Sequence, residues 1–228
     1  EFYGVGAYPA ESCTLAFPWM LTINNEARYG NQEGPGELQL AVSRDLRHWE
    51  RPFRTPCLNR GKPGEWDGGF FVCQSRALPV GDEVWLYYSA STYTHGTPCL
   101  YRAENTGRHT THTSSIGLAI WQRDRFVSAD ASSDGGTLTS VPVTFTGSRL
   151  ELNARVREGG SIVVSLLDAA GKELPGFETS EPITGDNLRH EVHWQGSPDL
   201  AALVGKPVML RFTMKSAELF SFAFRKQP

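Results

Sequence analysis

One local pattern occurs twice in the first half of the chain. Leu40-Ala41-Val42-Ser43-Arg44-Asp45 runs ahead of His48-Trp49-Glu50, and Leu118-Ala119-Ile120-Trp121-Gln122-Arg123-Asp124 runs ahead of Phe126-Val127. Each copy reads as an apolar strand, an Arg-Asp turn and an aromatic that starts another strand. The offset from Ala41 to Ala119 is wider than a hairpin and suits a four-stranded unit, the size of a propeller blade. A blade cannot bury both of its faces alone and needs a neighbour on each side. Two blades cannot close a ring, so further blades are expected upstream of Glu1.

Period-2 alternation supports the same reading. Strands are predicted over residues 13–23, 37–43, 70–79, 83–91 and 115–122, separated by loops rich in Gly, Asn and Pro. The character changes past Asp130. Residues 131–136 read as a Ser/Asp/Gly linker, and evenly spaced strands occupy 137–145, 149–156, 161–168, 189–194, 208–215 and 219–225. Val208 to Lys215 alternates apolar and polar, as a half-solvated sandwich strand does. A single helical turn is predicted from Asp199 to Val204, ended by Gly205 and Pro207. The expected architecture is all-β: about two blades over 1–130, the linker 131–136, and a β-sandwich over 137–228.

Charge and composition remove several classes. With 22 Lys plus Arg against 25 Asp plus Glu, and no basic run, nothing supports nucleic-acid binding through phosphates. Apolar runs such as Ile162 to Val164 fall far short of the roughly 20 residues of a membrane-spanning helix. Cys13, Cys57, Cys73 and Cys99 show no C-x-x-C spacing, so no metal or cofactor is expected; His109 and His112 lack a third ligand nearby. Cys13 and Cys73 read as small buried side chains. Cys57 and Cys99 each occur in Thr-Pro-Cys-Leu, and a bridge between them is left open. The chain opens on Glu1-Phe2-Tyr3 without an initiator Met or a signal-peptide pattern. It is expected to be part of a longer protein that is extracellular or periplasmic.

Gln39 to Pro52 resembles the blade strand and turn of the five-bladed β-propeller glycoside hydrolases of families 32, 43 and 68. Trp66-Asp67-Gly68-Gly69-Phe70-Phe71-Val72-Cys73-Gln74-Ser75 resembles the Asp-x-Gly-x-Phe-Tyr-Ala-x-Gln segment of family 32. The resemblance covers roughly residues 1–130, and extends to the sandwich only by its position after the propeller. It implies an enzyme acting on a carbohydrate through paired carboxylates held by the innermost blade strands. The Asn-Asp-Pro and Arg-Asp-Pro motifs of the family's nucleophile and transition-state stabiliser do not occur in this sequence.

The resemblance assigns Glu11, ahead of Leu15 to Leu21, as the acid/base carboxylate. Between Pro9 and Cys13, a partly apolar pocket is expected to raise its pKa. Asp67 is the second candidate carboxylate, at the funnel rim, with Gln74 next along that strand as a hydrogen-bonding partner. Sugar rings pack their C–H faces on aromatic surfaces, which makes Tyr3, Tyr8, Trp19 and Trp66 candidates for binding, together with His95 from a long loop. Two other readings stay open: a carbohydrate-binding module that does not cleave, and a structural β-rich protein whose sandwich packs on a partner.

Overall fold

The computed structural model describes residues 1–23, 34–62, 64–95 and 113–226. The chain is all-β and divides into two compact units, Glu1–Arg123 and Asp124–Pro228.

Among the described residues, unit 1 holds two four-stranded antiparallel sheets. In the first, β1 (Phe2–Pro9) pairs one edge of β2 (Thr14–Leu21), and β3 (Gly36–Leu38) and β4 (Ala41–Ser43) pair its other edge in succession. In the second, β5 (Phe70–Cys73) and β6 (Leu78–Val80) pair one edge of β7 (Glu83–Ser91), and β8 (Ser114–Gln122) pairs the other. The repeat in the sequence is thus a structural repeat. Ala41 and Ala119 occupy the third strand position of their sheets, opposite Ala16 and Leu86. After β4, Asp45 accepts from the backbone N–H groups of Arg47 and His48 at 2.9 and 2.8 Å, which lets the chain reverse with Leu46 at φ 62.

β1 is a strand that alternation does not reveal. Gly4 lies opposite Trp19 and Gly6 opposite Phe17, so the strand has no side chains where the pattern would show apolar ones. The glycines are needed: a Cβ at Gly4 would strike the Trp19 indole, and one at Gly6 the Gln74 carbonyl of the second sheet. The two sheets join at their innermost strands, where the Ala7 N–H donates to Ser75 O at 3.0 Å and the Ala77 N–H to Ala7 O at 2.9 Å. Phe17, fully buried, stacks on Trp121 at 5.5 Å between the sheets.

Unit 2 is one five-stranded sheet, curled on itself. β9 (Ala129–Ala131) and β10 (Gly136–Thr139) both pair β13 (Val208–Arg225); β13 pairs β11 (Arg149–Asp168), which pairs β12 (Gly185–Glu191). Four of the expected short strands are therefore halves of two long ones. Both bend at one place, where the register shifts between Val156 and Ser161 opposite Ser216 at φ 44. Such a corner lets one sheet supply both layers of a core. The concave face buries Leu150, Leu152, Ile162, Val164, Leu166, Leu210 and Phe212 in one cluster. Each large side chain so buried contributes about 1.5–3 kcal/mol. Residues 131–136 belong to this unit: Ala131 pairs with Ala217, and Gly136 with Met214. The short helical turn is a 3-10 turn, Leu200–Leu203, capped by the Asp199 carboxylate on the Ala201 N–H at 2.9 Å.

Candidate functional site: an aromatic cluster at one end of unit 1

Four rings from distant parts of the sequence meet at one end of the two sheets of unit 1. They are Tyr3 of β1, Trp19 of β2, Phe70 of β5 and His95, which lies beyond β7. Tyr3 gets there through a β-bulge. The register steps from Phe2–Met20 to Gly4–Trp19, which leaves Tyr3 as the extra residue and turns its ring toward Trp19. Glycines clear the remaining space: a Cβ at Gly36 would strike the Phe70 ring. His95 is pinned by a two-way backbone pairing with Gly34, at 2.8 and 3.2 Å.

The rings pack edge to face. Tyr3 lies 5.1 Å from Trp19 and 5.0 Å from His95 between centroids, and Trp19 lies 6.2 Å from Phe70. Phe70 and His95 are 5.1 Å apart. The Tyr3 hydroxyl and His95 Nε2 are hydrogen-bonded at 2.9 Å. Tyr3 is 43% exposed, while Trp19, Phe70 and His95 are half-buried. An ordered apolar surface with polar atoms at its margin suits a flat ligand with both C–H faces and hydroxyls.

Asp67 stands on the turn that leads into Phe70, about 10 Å along the chain at most. Its carboxylate and that of Glu65 both face Gly61, where an added Cβ would meet each of them. Trp66 stacks on Tyr88 at 5.8 Å, and Tyr88 in turn contacts Phe71 at 5.0 Å. Burial, and then the negative charge of Asp67, push the Tyr88 hydroxyl above its ordinary pKa. Three aromatic rings and one half-buried carboxylate therefore share this part of the second sheet.

The other expected site residues lie elsewhere. Tyr8 is 5% exposed, a core residue of unit 1. Gln74 is exposed after the end of β5, and its backbone N–H donates to Tyr87 O at 3.0 Å. Glu11 is exposed at the tip of the β1–β2 hairpin, which the Ala10 N–H closes on Cys13 O at 2.9 Å. That tip is at the far end of β1 from Tyr3, roughly 20 Å away at about 3.3 Å per residue. The apolar enclosure expected around Glu11 is not formed at such a tip. The sequence places Glu11 at the head of an innermost strand only because the glycines of β1 hide the strand before it. Phe70, by contrast, carries no mark in the sequence beyond its place directly after Gly68-Gly69.

Among the described residues, no three His, Cys, Asp or Glu side chains gather as metal ligands do. No helix among them is long and apolar enough to cross a membrane. His109, His112 and Cys99 lie outside the described residues. In unit 2, Trp194 offers no stacking face, being 6% exposed with its Nε1 donating to Val164 O at 3.2 Å.

No family model matches the chain, and no curated protein matches it. Among solved structures, it is similar to a glycoside hydrolase family 43 arabinoxylan arabinofuranohydrolase from Bacillus subtilis, in complex with cellotetraose. Identity is 11%, the TM-score is 0.29, and the match covers 98% of this chain and 54% of that one. The chain thus spans about half the length of that structure. A likeness this loose carries no argument about activity.

Proposed function

We propose that this chain is a carbohydrate-acting protein of the glycoside hydrolase type, with a sugar ring held against the Tyr3–Trp19–Phe70 surface. The observation that carries this reading is the convergence of those rings with His95 at an exposed rim, near Asp67. A sugar packs its C–H face on the rings, while the Tyr3–His95 pair and Asp67 supply partners for its hydroxyls. Glycoside hydrolysis needs two carboxylates across the scissile bond. In this reading Asp67 is one of them, and Glu11, at the far end of β1, is not its partner at the same rim. That separation favours a second reading for these residues, recognition of a glycan without cleavage.

Calorimetric titration and hydrolysis assays with fructosides, arabinosides, xylosides and galactosides separate the two, using the wild type, Tyr3→Ala, Asp67→Asn and Glu11→Gln. Turnover abolished in Asp67→Asn with binding retained identifies a hydrolase. Binding without turnover, weakened in Tyr3→Ala, identifies a recognition module. Absence of binding by the wild type to every sugar overturns both.

A further inference from the structure

The turns that follow β4 and β8 correspond, with Leu46 at φ 62 and Asp124 at φ 60, and Val42 of β4 is the counterpart of Ile120 of β8. Beyond the turns the chain takes two different paths. After the first it runs back along the outer edge of its sheet: the Glu50 N–H donates to Val42 O at 2.9 Å, the Val42 N–H to Glu50 O at 2.8 Å, and the Cys57 N–H to Leu38 O at 2.8 Å. After the second it turns away. Arg125, its side chain 4% exposed, donates to Asn153 Oδ1 at 2.8 Å and Asp186 Oδ1 at 2.6 Å, and Ala129–Ala131 pair with β13. The outer edge of β8 is left open, where the same edge of β4 is paired.

The register shows what that edge presents. The Thr92 N–H donates to Thr113 O at 3.0 Å and the Arg123 N–H to Asp82 O at 2.8 Å, so the odd-numbered residues of β8 bond to β7. The N–H and C=O groups of Ser114, Ile116, Leu118, Ile120 and Gln122 therefore point outward, and none meets a partner among the described residues. Their side chains share one face, with Ile116 72% exposed, Ile120 50% and Leu118 37%. The other face is covered: Trp121 stacks on Phe17 at 5.5 Å, and the Cys73 thiol donates to the Phe17 carbonyl at 3.4 Å. Exposed edges are ordinarily guarded by charge or proline. The edge strand of unit 2, β12, carries Asp186, Arg189, His190 and Glu191, whereas the nine residues of β8 include no charge and no proline.

We propose that this edge pairs with the same edge of a second copy of the chain, antiparallel about a two-fold axis through Leu118. The strand is its own complement in that arrangement. Leu118 is the middle residue of β8 and one of those whose backbone groups point outward. The axis sets Leu118 against Leu118 of the second copy, Ile116 against Ile120, and Ser114 against Gln122, so apolar meets apolar and polar meets polar. Both sides of the contact are one surface, which closes the assembly at a dimer. The pairing does not depend on a bound sugar.

Sedimentation equilibrium of the full chain over a range of micromolar concentrations tests it, with circular dichroism verifying that each variant is folded. Ile116→Lys combined with Ile120→Glu brings opposite charges together across the axis, twice per dimer; Ile116→Lys combined with Ile120→Lys brings like charges together. Within one chain the two positions are roughly 13 Å apart, beyond direct contact. Val141→Lys, at a 75% exposed position of unit 2, is the control. The wild type and the control are expected to show a monomer–dimer equilibrium, and the Lys/Glu variant to associate about tenfold more tightly than the Lys/Lys variant. Amide exchange at Leu118 is expected to slow as concentration rises through the dimer range. A single-chain mass for the wild type throughout overturns the proposal. So do assemblies larger than a dimer, equal association of the two double variants, or exchange at Leu118 that ignores concentration.

Discussion

The Tyr3 hydroxyl and His95 Nε2 sit 2.9 Å apart although 92 residues separate them in sequence. The bond joins the first strand of the first sheet to the segment after β7 of the second, and it holds both rings of the aromatic surface in one orientation. Tyr3→Phe keeps the edge-to-face packing and removes the bond. An exposed hydrogen bond of this kind contributes about 0.5–1.5 kcal/mol. Chemical denaturation is expected to show a loss in that range for Tyr3→Phe, and a larger one for Tyr3→Ala, which also removes the ring contacts with Trp19 and Phe70. An unchanged stability in Tyr3→Phe contradicts a role for the hydroxyl, and equal losses in the two variants contradict one for the ring contacts.

Gly69 is packed against the backbone of Tyr93, and an added Cβ would strike its carbonyl group. Backbone cannot step aside as a side-chain tip can. Gly69→Ala is expected to destabilise unit 1 by about 1–3 kcal/mol, the usual range for forced overpacking. Gly81→Ala is a control for local space, since nothing lies within 4 Å of a Cβ there; at φ 57 it carries backbone strain alone. Thermal unfolding that ranks Gly69→Ala no worse than Gly81→Ala is the outcome against this account.

Unit 2 is expected to lose stability in acid in two stages. His190 is held below its ordinary pKa, first by burial, so the folded state resists its protonation. As pH falls below about 6.5 the unfolded chain takes up that proton more readily, and stability declines. Asp186 is also held low, chiefly by its hydrogen bond from Arg125 Nη2 at 2.6 Å, with Arg155 at 3.0 Å adding to it. Its contribution is present above about 3.9 and is lost as pH falls through the lowered value. His190→Gln is expected to flatten the pH dependence of the unfolding midpoint between pH 7 and 5, and Asp186→Asn to flatten the lower stage. A His190→Gln profile that still falls between pH 7 and 5 sinks the first assignment.

Cys57 and Cys73 are expected to be unreactive thiols. Burial pushes Cys57 up to about 12 and Cys73 up to about 11, so the thiolate that attacks reagents is scarce at pH 8. Timed alkylation with peptide mass analysis is expected to label both slowly in the native protein and rapidly in denaturant. Labelling of Cys73 at the same rate in both states is inconsistent with its place against Phe17.

Sequence periodicity is enough for the all-β class and for the repeat, because strand alternation and the Arg-Asp turn are local properties. Residues 83–91 alternate clearly, since β7 is paired on both edges and buries one face. Three features lie beyond periodicity, each for a physical reason. β1 is hidden because Gly4 and Gly6 make room for the ring of Trp19 and for the second sheet, and a glycine leaves no mark in a hydrophobicity pattern. The bent strands β11 and β13 read as four short ones, because a bulge interrupts alternation whether or not the strand continues beyond it. The aromatic surface joins residues 3, 19, 70 and 95, and a bulge, two glycine clearances and one backbone bridge bring them together. Pairing between distant strands sets those distances, and residue order alone does not encode which end of a strand a side chain such as Glu11 will occupy.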